Sequence, residues 1–363
     1  MKIKQKSHKK FPAKKILTAT ISIFFCMLNF SCSKKISGKK IELESTIELK
    51  KMLERGDELS EKSRYAIMNR LASKMLEKGE TDELSLLLTE FVERNPRDKY
   101  NSYWLLMCAY FYAEMGQEKV AEYYFERILR CYDDLVVKGQ SIHFLCLERL
   151  VQISENPENR ISYFNTLMSR FPEKVSLTEM YARLANEYER LGDWTRALRM
   201  YQTFLAQRDA GSIQIMDMRD IYNHARALII FDNSPKNWMF KTLDELSDAV
   251  KSAISRNQGP RLDAIRSKAN FFTVSGKSGE GTRNSQASFS IQNYMHGNRI
   301  NFSDELIAGE SANEAYLRTS GWKEISPEWY FYFRKVNFPA EPKVHGTWEW
   351  AGIYMGDPFQ SKR

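Results

Sequence analysis

The stretch TEMYARLANEYERLGDWTRALRMYQTFL, Thr178 to Leu205, decides how most of this chain is built. Apolar and small residues recur at helical spacing on both sides of Gly192-Asp193, which predicts two amphipathic helices joined by a tight turn. Counted from Thr178, Tyr181 and Tyr188 stand at positions 4 and 11, Ala185 and Ala197 at 8 and 20, Gly192 at 15 and Tyr201 at 24. The large residues of the first helix are placed to pack across the second, and the alanines mark where the two helices approach closely. Gly192 suits the left-handed residue that ends a helix.

The same register recurs upstream. From Ser102, Ala109, Tyr112, Gly116, Ala121 and Phe125 take positions 8, 11, 15, 20 and 24; from Tyr65, Met68, Leu71, Ala72, Gly79 and Leu84 take 4, 7, 8, 15 and 20, with Pro96 at 32. From Ser141 the pattern is carried by Phe144, Leu147, Phe164 and Pro172, and Asn156-Pro157 replaces the glycine turn. Starts at 65, 102, 141 and 178 are 37, 39 and 37 residues apart. A fifth, degenerate hairpin is expected from about Asp217, with Tyr222 and Ala225 on its first helix and Asp232 to Pro235 as its turn. The Thr178 unit and its copies resemble tetratricopeptide repeats. The resemblance implies a mainly α, TPR-like α-α superhelix over residues 60–240 whose units bury a core only against their neighbours and leave a concave face for a partner. It places that groove at Tyr103, Leu106, Tyr110, Leu145, Arg149, Ala182 and Asn186, with Arg183 beside them. The lysine and asparagine set that grips a peptide carboxylate in chaperone-type members is not reproduced.

The front of the chain is of another kind. Seven lysines and no acid occupy the first fifteen residues, then ILTATISIFFCMLNF runs uncharged from Ile16 to Phe30 and stops at Ser31-Cys32. A basic segment followed by a short apolar one reads as a signal peptide over residues 1–31, and the cysteine after a small residue resembles a bacterial lipoprotein processing site. Asn29 stands where such sites usually carry leucine, with Leu28 before it and Phe30 after, a relaxed box resembling those of spirochaetes. Lipidation is therefore expected on Cys32, followed by a tether and leading helix over residues 32–59. Removing residues 1–31 takes away seven positive charges, so the formal +8 becomes 8 − 7 = +1. The basicity that would point to nucleic acid belongs to the targeting segment, and no nucleic-acid partner is expected. SKKISGKK, after Cys32, is placed to lie against an anionic membrane surface.

Composition changes again beyond Lys241. LDELSDAVKSAI and RLDAIRSKA predict two short helices, and FFTV, ASFSIQ, WYFYFRKVNF and GTWEWAGIY predict strands, giving a small α+β domain with an antiparallel sheet over residues 241–363. This order is similar to that of nuclear-transport-factor-2-like cones. In GTWEWAGIY, alternation puts Trp348, Trp350 and Gly352 on one face, and WYFYF is aromatic on both faces, as in a strand covered on both sides. Trp322, Trp348 and Trp350 form a candidate ligand platform. Ser275 to Ser288 contains a GKS, but Phe271 stands where a phosphate loop needs its first glycine.

Catalytic and metal motifs are missing from the sequence: no CxxC or HExxH occurs, and the four histidines past Cys32 share no ligand spacing. Asp220 and His224 are one helical turn apart and read as a surface pair. Cys108, Cys131 and Cys146 are odd in number, which leaves at least one free thiol unless one pairs between chains, and allows a Cys131–Cys146 bridge. No cofactor and no metal is expected. The expected function is non-enzymatic: a membrane-anchored periplasmic TPR lipoprotein acting as a protein–protein scaffold in an envelope assembly or transport complex. The alternative is a lipoprotein that binds a glycan or lipid-like ligand on its aromatic C-terminal domain.

Overall fold

The computed structural model describes residues 46–54, 59–269, 271–275 and 289–359. The signal segment, Cys32 and its tether, and the GKS segment lie outside the described residues. The chain divides into two compact units between Val175 and Ser176.

Among its described residues the first unit is built from helices α1 (Thr46–Glu54), α2 (Glu61–Glu77), α3 (Thr81–Arg94), α4 (Asn101–Glu114), α5 (Glu118–Cys131), α6 (Ile142–Ile153) and α7 (Pro157–Arg170). Strands β1 (Val136–Val137) and β2 (Gln140–Ser141) form a two-residue ribbon between α5 and α6. Helices α2–α3, α4–α5 and α6–α7 pack as successive pairs, and each pair packs on the next through α3–α4 and α5–α6. Gly79 and Gly116, at the same repeat position, end α2 and α4 with φ of 75° and 72°, the left-handed conformation that glycine adopts without steric cost. In the third pair the turn is made differently: Asn156 Oδ1 accepts the Glu158 N–H at 2.8 Å and Pro157 opens α7. Ala72, Ala109 and Ala121 are fully buried at the close approaches, and Phe125 fills the space beside them.

The second unit begins with the Thr178 hairpin itself, α8 (Leu177–Leu191) and α9 (Trp194–Leu205), followed by α10 (Ile221–Asp232). Gly192 ends α8 at φ 75°, and Asp193 caps α9 by accepting the Arg196 N–H at 3.1 Å. The expected fifth hairpin is a single helix, α10, because a turn and a stretch without helix follow it up to α11 (Leu243–Ser255). The remaining elements are α12 (Gly259–Ile265), β3 (Phe272–Ser275), α13 (Ile291–Met295), β4 (Asn301–Phe302), β5 (Ile307–Ala308), β6 (Glu314–Ser320), β7 (Glu328–Lys335) and β8 (Trp348–Met355). The sheet runs β3-β8-β7-β6-β4, with β5 also on β6. It is mixed rather than wholly antiparallel, since β3 lies parallel to β8. Ile291 and Gln292, expected in a strand, open α13, and Glu314–Ser320 is a strand beyond those expected.

No break falls at Lys241. Leu198 of α9 and Phe231 of α10 share one apolar cluster with Trp238, Val336, Phe338 and Val344. Burying those side chains together ties the last hairpin to the sheet domain, which is why the division comes at Ser176.

Replacing Ala109 with Leu inserts bulk at a helix contact with no spare room. The expected cost is about 1–3 kcal/mol of stability, read from the denaturation midpoint of the first unit.

Candidate functional site

The expected groove residues of the first unit do converge, but inside it. Tyr103, Leu106 and Tyr110 project from α4 and Arg149 from α6, the two first helices of successive pairs, and all four are buried. Arg149 lies over the Tyr110 ring at 5.2 Å and donates Nη1 to Gln152 Oε1 at 2.9 Å. Burial pushes the Tyr110 phenol up to about 12 against the opposing pull of Arg149. The open groove at these positions is thus corrected to a packed one. The reason is local: NSYWLLMCAYF is rich in large side chains all round, so α4 is covered on every side from Asn101 to Phe111. Leu145, between them on α6, is half-buried.

In the second unit Arg183 and Asn186 lie half-buried on α8. Arg183 is a structural clamp: its Nε donates to Glu179 Oε1 at 2.7 Å, and its two terminal nitrogens grip Asp217 at 3.0 and 2.9 Å. Six residues further along α8, Glu189 Oε2 accepts from Tyr201 Oη of α9 at 2.6 Å and pairs with His224 Nε2 of α10 at 2.9 Å. His224 therefore pairs with a carboxylate 35 residues earlier, and Asp220 instead accepts from Asn223 at 2.7 Å. The hydrogen bond with Glu189 holds the His224 pKa above its usual value. Burial alone would raise Glu189, but the bonds from His224 and Tyr201 outweigh it and hold it below the usual carboxylate value.

The tail tryptophans are core. Trp322 stacks on Trp329 at 4.1 Å and gives Nε1 to Thr319 Oγ1 at 2.9 Å. Trp350 stacks on Phe331 at 4.5 Å, and Trp348 is buried at the edge where β8 bonds to Phe240. A platform at these three positions is corrected accordingly. Gly352 is corrected too. A bulge at Tyr332/Phe333 pairs Phe333 with Trp350 but Tyr332 with Gly352, so Ala351 is the extra residue and Gly352 turns to the face opposite Trp350.

The opposite face carries the residues that sequence alone does not single out. The register lays out cross-strand rows: Glu314–Arg334–Glu349, then Tyr316–Tyr332–Gly352–Phe272, then Arg318–Tyr330–Tyr354–Val274. Tyr316 and Tyr332 are 5.2 Å apart between ring centroids, and Phe272 is 5.7 Å from Tyr332 and 5.3 Å from Tyr354. Tyr332 donates to Glu314 Oε1 at 3.0 Å, Arg334 Nε to Glu349 Oε1 at 2.7 Å, and Arg318 pairs with Glu328. Glu349 is buried, and its Oε2 has no donor among the described residues. Burial raises all four phenols, Tyr316 to about 12, so they stay protonated hydroxyls at neutral pH. The signal for this face was the alternation of tyrosine with hydroxyl-free rings in WYFYF.

Cys108, Cys131 and Cys146 are free thiols, the first and last buried and Cys131 exposed. Among the described residues no group of three His, Cys, Asp or Glu is placed to hold a metal ion, and no helix is long and apolar enough to cross a membrane. No protein-family model matches the chain, and no curated protein matches it.

The Glu189–His224 pair stabilises the folded state fully between the usual glutamate value of 4.5 and the usual histidine value of 6.5. The contribution is lost as pH rises through the raised His224 pKa or falls through the lowered Glu189 pKa. His224→Gln is expected to lower the thermal midpoint by about 1–2 °C near pH 5.5 and by less at pH 9, because the pair is partly solvent-screened. Trp350→Ala opens a core cavity and is expected to cost about 3–5 kcal/mol in chemical denaturation.

Proposed function

We propose that this chain is a membrane-tethered scaffold of a bacterial cell envelope: a lipoprotein anchored through Cys32, facing the periplasm, whose TPR-like array docks a protein partner. On this reading it is not an enzyme and uses no cofactor, and its tail domain adds a second surface. The sequence of the front segment supports the anchor, since three acyl chains on one cysteine would hold the chain at a membrane essentially permanently. The serial helix pairs of the first unit support the docking role.

One observation carries the choice of surface. Leu86 on α3 and Tyr123 on α5 occupy the same repeat position, 22, in successive pairs, and they are 69% and 53% exposed. Near the C-terminal ends of these helices, Arg127 of α5 reaches Glu93 of α3 at 2.7 Å. On each helix the exposed residue lies on the face of that bridge, seven residues before Glu93 and four before Arg127. Val120, three residues before Tyr123, adds to the exposed apolar surface. Large apolar groups left in water at equivalent positions of successive repeats suit a partner that spans both repeats. This moves the docking surface from the first helices, whose inner positions are core, to the outer face of the second helices.

A photocrosslinking residue at position 123 in the full chain, expressed in intact cells, tests the reading. A single envelope protein is expected to be captured, and Leu86→Ser is expected to reduce its yield at least about tenfold, as removal of a central contact does. Cys32→Ala is expected to release the chain from the membrane fraction. Capture unchanged by Leu86→Ser would overturn the assigned surface, and membrane retention of Cys32→Ala would overturn the anchor.

A further inference from the structure

We propose that the tyrosine face of the sheet binds a saccharide chain, and that Phe359 covers part of this face until the sugar displaces it. This surface is separate from the outer face of α3 and α5, so the proposal goes beyond the scaffold reading and does not depend on it.

The inference starts from which rings are covered. Tyr316 and Tyr330 are 9% and 6% exposed, whereas Tyr332, Tyr354 and Phe272 are half-buried. Phe359 touches the two covered rings, edge-on to Tyr316 at 5.2 Å and to Tyr330 at 6.0 Å. It lies just past the end of β8, is itself 36% exposed, and its N–H is held by Asp357 Oδ1 at 2.8 Å. One aromatic side chain of the C-terminal segment thus sits on a surface made of other aromatic side chains. Moving it aside uncovers two more rings in line with three already partly open.

The chemistry of the face selects the ligand. A pyranose offers an apolar C–H face and a rim of hydroxyls, so its site needs flat rings with donors and acceptors around them. Here the ring rows are flanked by Glu314, Arg334 and Glu349 on one side and by Arg318 with Glu328 on the other. A lipid chain would desolvate those charged rows without replacing their bonds to water. A nucleic acid would meet guanidiniums already paired, Arg334 with Glu349 and Arg318 with Glu328, which leaves no positive excess for a polyanion. Sugar hydroxyls, which both donate and accept, satisfy carboxylates and guanidiniums alike. Tyrosine also provides rigid contact area at low entropy cost, which suits a ligand that is itself heavily hydrated.

The test is calorimetric titration of the detergent-solubilised full chain with two probes, the β-1,4-linked tetramer of N-acetylglucosamine and cellotetraose. Saturable binding of at least one probe is expected. Phe359→Ala is expected to tighten it about three- to tenfold, since the sugar no longer has to break two ring contacts. Tyr332→Ala is expected to weaken it at least about tenfold. Should that variant fail to fold, Phe359→Ala decides alone, because it changes an exposed residue beyond the last strand. Absence of binding by both the native chain and Phe359→Ala overturns the proposal, and so does weaker binding in Phe359→Ala. A concentration-dependent dimer in sedimentation, shifted by Phe359→Ala while neither probe binds, overturns it in favour of a second copy of the chain on this face.

Discussion

Two helix backbones approach most closely where the facing positions carry no more than a methyl group, and the helical part of this chain is organised by such contacts. Ala72, Ala109 and Ala185 recur at the eighth position of their repeats, and Ala121 and Ala197 at the twentieth; all are fully buried. With the backbones brought close there, Phe125 and Tyr201 at the twenty-fourth position fill the space alongside. The left-handed glycines that end α2, α4 and α8 set the turn that brings each pair of helices together. Asn156 and Pro157 reach the same result by other means, one capping the next helix and the other starting it.

Close packing also explains why the inner positions are not a groove. A helix amphipathic in the usual way keeps one face wet; α4 has none to spare between Asn101 and Phe111. Tyr110 and Arg149 come together as the repeat geometry implies, but as a ring and a guanidinium sharing a buried site. On the second helices, Leu86 and Tyr123 stay in water at equivalent positions.

In the sheet the partition is made by a hydroxyl group. Of the five rings in WYFYF, Trp329, Phe331 and Phe333 turn inward and are fully buried, while Tyr330 and Tyr332 turn outward. A phenol needs a hydrogen-bond partner, and Tyr332 finds one in Glu314 on the outer side. The bulge between Tyr332 and Phe333 then shifts β8 by one residue, and this sends Gly352 outward beneath the ring of Phe272.

The sequence by itself determined the helix pairs as far as α9, their turns, the burial of their alanines and the alternation of β7. These follow from side-chain period and turn chemistry acting over a few residues. Only the tertiary structure decided that β3 lies parallel beside β8, that His224 meets Glu189, that Trp322, Trp348 and Trp350 are interior and that a tyrosine surface lies opposite them. Each of these joins segments far apart in the chain. Such pairings depend on how whole elements pack, and a single bulged residue is enough to exchange one face of a strand for the other.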